Sequence, residues 1–179
     1  MAIGSVMHTF TVDLADVDRG VYEQLSLRVA RHPSETAPNV LLRVLAYALE
    51  YEEGIALSEG IAATDEPAVL VRDLTGRTTA WIEVGAPDAA RLHTGSKLAD
   101  RVAVYTHREI SRLLPIWAGK TIHRAAEIPI YSFGRGFLDD AAGAIERRNA
   151  LSVSVTERQL YLELGGRTFS SEISEHRLS

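Results

Sequence analysis

Two apolar segments in the middle of the chain predict a β-hairpin that could carry chemistry. Residues 68–72 (AVLVR) and 78–84 (TTAWIEV) are typical of strands, and the intervening DLTGRT has turn-forming residues. Antiparallel pairing through this turn places residue 68 near residue 83. The acidic residues just before the first strand would then lie beside an acidic residue near the end of the second strand.

Asp65, Glu66 and Glu83 are the carboxylates that this hairpin would bring together. Because like charges repel, a hard divalent cation is the simplest way to stabilise them, and Mg²⁺ or Mn²⁺ needs few protein ligands. A cation held in this way can activate water for phosphodiester hydrolysis. Glu83 interrupts an apolar run, which favours a buried role. In the alternative interpretation, all three are solvated residues at a sheet end, or Glu83 points outward under simple alternation.

The segment RHPSET, residues 31–36, is a second candidate site. Ser34 or Thr36 can cap a following helix, and Glu35 complements the helix dipole. Arg31 and His32 add a fixed cation and a group that titrates near neutrality. Capping explains the hydroxyl residues, and the crowding of charged groups in the same turn suggests a phosphate or substrate contact.

Other chemically interesting residues give weaker signals. Lys97 follows Glu83 by one short helix and could stabilise charge there, or could simply be exposed. Glu50 ends a predicted helix and could reach a metal site. The histidines lack paired zinc-ligand spacing, and the chain contains neither a phosphate loop nor a G-x-S-x-G nucleophile elbow.

The elements that must position these residues follow from hydrophobic periodicity and turn signals. The predicted order is β-α-α-β-β-β-α-β-α-β-α-β-β-β, which indicates an α/β or α+β protein with a mixed sheet flanked by helices. Helices are predicted at 17–32, 37–53, 87–100, 108–118 and 136–146. Strands are predicted at 5–13, 55–62, 68–72, 78–84, 101–106, within 122–132, and at 151–157, 159–166 and 167–174.

Composition narrows the class of protein. The 179 residues are 46% hydrophobic and 24% charged, which predicts one folded domain over residues 1–179. The chain shows no apolar run long enough to cross a bilayer and no signal-peptide pattern, so we expect a cytoplasmic protein without a membrane partner. Zero cysteines exclude disulfides and thiolate chemistry. The net charge of −5 argues against a non-specific polyanion binder, although a local basic groove could contact nucleic acid.

Several motifs together resemble the YaeQ family of bacterial proteins, in order and spacing over essentially the whole chain. The motifs are RHPSET at 31–36, DEP at 65–67, LTG at 74–76, WIEVG with PD at 81–88, and VAVYTH at 102–107. The resemblance implies a variant of the PD-(D/E)-x-K nuclease fold, similar to restriction endonucleases, and the family's activity is not established.

The nuclease motif carries over incompletely. Asp65 or Glu66 resembles its first acid and Glu83 its second, but Gly85 stands where the motif has lysine. The resemblance implies that the following helix supplies the cation, from Lys97 or from Arg91. Relatives often have a basic residue where this chain has Thr94, which weakens the case for Lys97.

The residues that resemble the motif's additional helical acid are Glu35 and Glu50, and the sequence does not choose between them.

These observations predict a Mg²⁺- or Mn²⁺-dependent nuclease-like hydrolase acting on nucleic acid. Asp65, Glu66 and Glu83 would hold the metal, Lys97 would stabilise charge, and Arg31, His32, Ser34 and Glu35 would bind substrate. The alternative is a non-catalytic, regulatory protein on the same scaffold that binds nucleic acid or a protein. A basic rim of Arg31, Arg72, Arg91 and Lys97 would favour nucleic acid. An enzyme for a small phosphorylated metabolite is a third interpretation, and the oligomeric state stays open.

Overall fold

The computed structural model describes residues 4–58 and 65–178. Within these ranges the chain forms ten strands and four α-helices, with a 3₁₀ turn at Ala125–Glu127. The strands are β1 (Val6–Asp16), β2 (Val21–Arg31), β3 (Ile55–Leu57), β4 (Val69–Arg72), β5 (Thr78–Val84), β6 (Arg101–Thr106), β7 (Pro129–Phe133), β8 (Arg148–Thr156), β9 (Gln159–Leu164) and β10 (Arg167–Arg177). The helices are α1 (Ala37–Leu49), α2 (Ala89–Leu98), α3 (Ile110–Trp117) and α4 (Phe137–Ala142).

The sheet is mixed and nearly closed. Its strand order is β2-β1-β8-β9-β10-β7-β6-β5-β4-β3. The pairs β1–β8, β5–β6 and β6–β7 are parallel, whereas the other neighbours run antiparallel. Because β5, β6 and β7 are mutually parallel, their carboxyl ends share one edge of the sheet, which is where ligands usually bind in such sheets.

The predicted helix at 17–32 is wrong, because this segment forms β2. It pairs antiparallel with β1 along the whole strand, from Val6 opposite Arg31 to Asp16 opposite Val21. Leu25, Leu27 and Val29 are buried while their neighbours Ser26 and Arg28 are exposed. This period of two belongs to a strand, whereas a helix would spread the same residues around its axis.

The other predicted elements are confirmed, with shifted ends. The predicted helices at 37–53 and 136–146 shorten to α1 and α4, which end at Leu49 and Ala142. The predicted strand at 55–62 is confirmed at 55–57, and its residues 59–62 lie outside the described residues. No helix in the described part of the chain is long and apolar enough to span a membrane.

The helix α1 packs against one face of the sheet. Thr36 caps its N-terminus by accepting a hydrogen bond from the Asn39 backbone N–H, and Pro38 lies in its first turn. Its apolar side chains belong to a core that also contains Ala80 and Ile82 of β5. The core residues contributed by α1 are Val40, Leu41, Leu42, Val44, Leu45, Ala46, Ala48 and Leu49.

A second, smaller core lies on the other face of β5, β6 and β7. It contains Trp81 of β5, Leu92 of α2 and Leu113 of α3, together with residues of β6 and β7. Alternation along β5 therefore directs Ala80 and Ile82 towards α1, and Trp81 and Glu83 towards α2.

Candidate functional site

The hairpin of β4 and β5 has the register that the sequence predicts. Val69 lies opposite Ile82, and Leu70 lies opposite Trp81. Extended by one residue, this register places residue 68 opposite Glu83. Glu83 is only 3% exposed. Its burial supports the interpretation of Glu83 as a buried acid and excludes the solvent-facing alternative.

Glu83 forms a two-point ion pair with Arg91 of α2. Arg91 Nε donates to Glu83 Oε2 at 2.5 Å, and Arg91 Nη2 lies 3.2 Å from Glu83 Oε1. This hydrogen bonding raises the pKa of the Arg91 guanidinium, against the opposing effect of its burial. The pair thus places a neutralised carboxylate beside the carboxyl edge of the parallel strands.

The local sequence explains why Arg91 reaches Glu83. Asp88 is the N-cap of α2 and accepts a hydrogen bond from the Arg91 backbone N–H at 2.9 Å. Arg91 therefore lies in the first helical turn, and helical side chains lean towards the N-terminus of their helix. Here that direction is back towards the end of β5.

The acids before β4 take different positions around this pair. Asp65 is exposed and adds a favourable charge interaction with Arg91. The Glu66 backbone carbonyl accepts a hydrogen bond from Arg91 Nη2 at 2.6 Å, whereas the Glu66 carboxylate pairs with Arg72 at 3.2 Å. The structure therefore brings Glu83 and the Glu66 main chain into contact with one guanidinium, and the charge of Asp65 acts on the same group. No group of three His, Asp or Glu side chains suited to a metal occurs within residues 4–58 and 65–178.

Neither the residue at the motif's lysine position, Gly85, nor the proposed substitute, Lys97, places a cation beside Glu83. Gly85 has a positive φ of 83° and donates its N–H to the Tyr105 carbonyl, a backbone conformation that favours glycine over lysine. Lys97 is exposed near the C-terminus of α2, and its side chain makes no hydrogen bond or ion pair with a described residue. Arg91, the rival candidate, is the residue that contacts Glu83.

The RHPSET segment is held by its own contacts. Glu35 is buried against Arg43, which donates from Nε to Oε2 at 2.9 Å and from Nη2 to Oε1 at 2.8 Å. Arg31 Nε donates to the Glu35 carbonyl, and His32 Nδ1 lies 2.7 Å from Ser34 Oγ. Glu35 is therefore engaged inside the protein, while His32 and Ser34 stay accessible.

Glu50 lies at the opposite end of α1, away from Glu83. It pairs with Arg101 at 2.7 Å and accepts a hydrogen bond from the Tyr105 hydroxyl at 3.1 Å. Burial raises the pKa of Tyr105 well above its usual value, and the nearby Glu50 charge adds to this effect. Glu50 is therefore held by Arg101 and Tyr105.

Sequence reasoning missed that Arg43 is the partner of Glu35. Arg43 stands in an apolar helical run and is only 1% exposed. A buried arginine needs an acidic partner. An arginine within an apolar helical run therefore predicts a buried carboxylate nearby, and this pattern could have identified the pair.

Together, fold and site define a class: a mixed α+β protein with a nearly closed sheet, carrying a buried carboxylate–guanidinium pair at the carboxyl edge of three parallel strands. A family model described as "YaeQ protein" matches residues 1–173, so the chain belongs to the YaeQ family. The family resemblance stated from the sequence motifs is confirmed.

Individual relatives agree with this membership. The chain is 37% identical to the YaeQ protein of Escherichia coli (strain K12) over 117 residues, which cover 65% of this chain and 64% of that protein. It is 28% identical to the YaeQ protein of Salmonella typhi over 165 residues, which cover 90% of each.

Two crystal structures share the fold. The YaeQ protein from Pseudomonas syringae matches with a TM-score of 0.84 and 29% identity, over 96% of this chain and 95% of that chain. The YaeQ protein from Xanthomonas axonopodis pv. citri matches with a TM-score of 0.87 and 22% identity, over 98% and 99% respectively. The α+β architecture with a mixed sheet is thereby confirmed.

Proposed function

We propose that this protein is a Mg²⁺- or Mn²⁺-dependent phosphodiesterase acting on nucleic acid, with a nuclease-like site at Glu83. The observation that carries the proposal is the Glu83–Arg91 pair. Glu83, only 3% exposed, is the penultimate residue of an apolar strand and contacts a cation beside the carboxyl edge of three parallel strands. The nuclease motif places a lysine close to its acids, and in this proposal Arg91 takes the place of that lysine.

The donor atoms at the site suit a hard divalent cation. Glu83, Asp65 and the Glu66 carbonyl offer oxygen ligands, and Mg²⁺ often takes only one or two carboxylates because it keeps waters. Glu83 and Asp65 would hold the cation, which would supply Lewis-acid activation of water. The Glu66 carboxylate pairs with Arg72 and the Glu66 carbonyl accepts from Arg91, so either oxygen would exchange its present partner for the cation.

Arg91 has two roles in this proposal. Without a bound cation, it neutralises Glu83 and so permits a carboxylate to be buried. With a phosphodiester in the site, its planar guanidinium can donate to phosphate oxygens and stabilise the charge that develops in the transition state. Lys97 is not part of this constellation.

Calorimetric titration of Mn²⁺ and Mg²⁺ tests the metal site. We expect saturable binding by the wild type, loss of binding in Glu83→Gln, and weaker binding in Asp65→Asn. Glu163→Gln is the matched control, because Glu163 is an exposed carboxylate on β9. Hydrolysis of DNA and RNA by the wild type, abolished by Glu83→Gln, would support turnover.

A non-catalytic binding protein on the same scaffold is the second candidate function. The observation that favours it is that Arg91 already engages both carboxylate oxygens of Glu83 while glycine occupies the lysine position. In that case neither metal binding nor hydrolysis should occur, and a nucleic acid or protein would bind with equal affinity to wild type and Glu83→Gln.

A further inference from the structure

Charge is distributed unevenly along the chain. Residues 88–127, which contain α2, α3 and their connections, have seven Lys or Arg residues against four Asp or Glu. The other residues have twelve against twenty. Both lysines of the protein, Lys97 and Lys120, lie in this segment. An acidic protein therefore carries one locally basic region, and that region includes the helix of Arg91.

The acidic side chains of this segment are already occupied. Asp88 caps α2, and Asp100 pairs with Arg77 at 2.9 Å. Glu109 and Glu127 pair with arginines three residues away. The segment's own carboxylates are therefore not directed at its lysines.

Three cations of the segment have no side-chain partner in the part of the chain that the structure describes. The exposed side chains of Lys97, Arg108 and Lys120 make no hydrogen bond or ion pair with any described residue. Arg108 is the second residue after β6, whose carboxyl end neighbours that of β5, the strand of Glu83. Arg108 therefore lies at the edge of the sheet that carries the candidate site, whereas Lys97 lies in the last turn of α2, the helix that leads from the end of β5 to the start of β6.

Two histidines join the lysines. His93 and Lys97 are four residues apart on α2 and share a helix face. The His123 ring lies 6.5 Å from the His93 ring, and the His123 backbone N–H donates to His93 Nδ1 at 3.0 Å. Because His93 Nδ1 accepts this bond, the proton of the neutral ring lies on Nε2, where it can donate to a phosphate.

The loop that carries Lys120 and His123 is fixed to α2. Arg124 Nη2 donates to the Ser96 carbonyl at 2.6 Å and to the Ala99 carbonyl at 2.9 Å, at the C-terminus of the helix. We name the side chains of His93, Lys97, Lys120 and His123 the basic face. Its backbone is held in place before any ligand arrives, which lowers the entropic cost of binding a polyanion.

We infer that the basic face is a docking surface for the phosphate backbone of a duplex nucleic acid. The inference rests on the proposed function, since it assigns the surface on which the substrate of the Glu83 site would lie. Cations without internal partners are what phosphate contacts require. A duplex is favoured over a single strand, because single-strand binding uses exposed aromatic rings. The two Phe, Tyr or Trp residues of segment 88–127, Tyr105 and Trp117, are buried.

Fluorescence anisotropy tests the docking surface. The probe is a labelled DNA duplex of about two helical turns, titrated with protein in EDTA over a range of salt concentrations. We expect Lys97→Gln/Lys120→Gln to bind at least about tenfold more weakly at low salt. The slope of log Kd against log salt should fall by about two, one for each lost phosphate contact. Arg147→Gln/Arg148→Gln is the matched control, with the same charge change at exposed residues on and just before β8.

The outcomes separate this inference from the proposed function. Four results would each overturn the docking surface. The wild type and the lysine variant could bind the duplex equally, or the control variant could weaken binding as much as the lysine variant does. The protein could also bind a single strand of the same length more tightly than the duplex, or bind no duplex at all. Duplex binding in EDTA that needs Lys97 and Lys120 would support it even if Glu83 binds no metal. Metal binding at Glu83 without duplex binding would support the metal site of the proposed function but would overturn the docking surface.

Discussion

Glu35 and Arg43 form a two-point ion pair in which both side chains are almost inaccessible, at 1% and 2% exposure. Arg43 also donates to the Ala30 carbonyl of β2, and Asn39 Nδ2 donates to Glu35 Oε2 at 2.6 Å. The pair therefore joins the end of β2, the RHPSET turn and the first turns of α1. Its role is to fix the connection between the outer strand and the central helix.

Breaking this pair should strongly destabilise the protein. Glu35→Gln leaves a buried guanidinium without its counter-charge, and removal of one partner of a buried ion pair typically costs about 3–5 kcal/mol. Urea unfolding measures the change. Asp100→Asn breaks the exposed Arg77–Asp100 pair and should have little effect. A small loss in Glu35→Gln, comparable with that control, would show that the pair contributes little.

Gly95 should tolerate no side chain, although it lies inside α2. A Cβ at this position would lie 2.5 Å from Cδ1 and Cγ of the buried Trp81 ring. Gly95→Ala gains helix propensity of about 1 kcal/mol, but overpacking costs about 1–3 kcal/mol, so we expect a net loss of stability. The exposed neighbour Thr94→Ala should stay within about 0.5 kcal/mol of the wild type in the same denaturation experiment. Stabilisation by Gly95→Ala would contradict the packing of α2 on Trp81.

Arg91→Ala should make the protein dependent on a divalent cation. The variant leaves Glu83 as a buried carboxylate without its partner, which should lower the midpoint of thermal unfolding. Mn²⁺ should raise that midpoint more in the variant than in the wild type, because the cation no longer competes with the guanidinium. Arg112→Ala, which removes an exposed arginine of α3, is the control. An equal response to Mn²⁺ in all three proteins would contradict a cation site at Glu83.

Local signals were sufficient to predict the β4–β5 hairpin and its register. The turn residues and the lengths of the apolar runs lie within one short segment, so the pairing of Val69 with Ile82 follows from the sequence. The same pattern left the burial of Glu83 open, and the packing of α2 on the Trp81 face of β5 decides it.

Tertiary pairing decided what local signals left ambiguous. Val17, Val21 and Leu25 have helical spacing, whereas Leu25, Leu27 and Val29 alternate as in a strand, and the pairing with β1 selects the strand. Likewise, the sequence shows Arg91 and Lys97 on one helix. Only the position of α2 beside β5 determines that Arg91 meets Glu83.

His107 should make stability depend on pH below neutrality. Its half-buried ring follows β6, and its Nδ1 has no hydrogen-bond partner among the described residues. Burial lowers the pKa of His107 below its usual value of 6.5, and the nearby Arg108 lowers it further. Between the lowered pKa and 6.5 the unfolded state binds more protons than the folded state, so stability should fall as the pH drops through this window. His107→Asn should flatten that part of the profile, which urea unfolding at several pH values measures. A profile that is unaltered in His107→Asn would contradict the assignment.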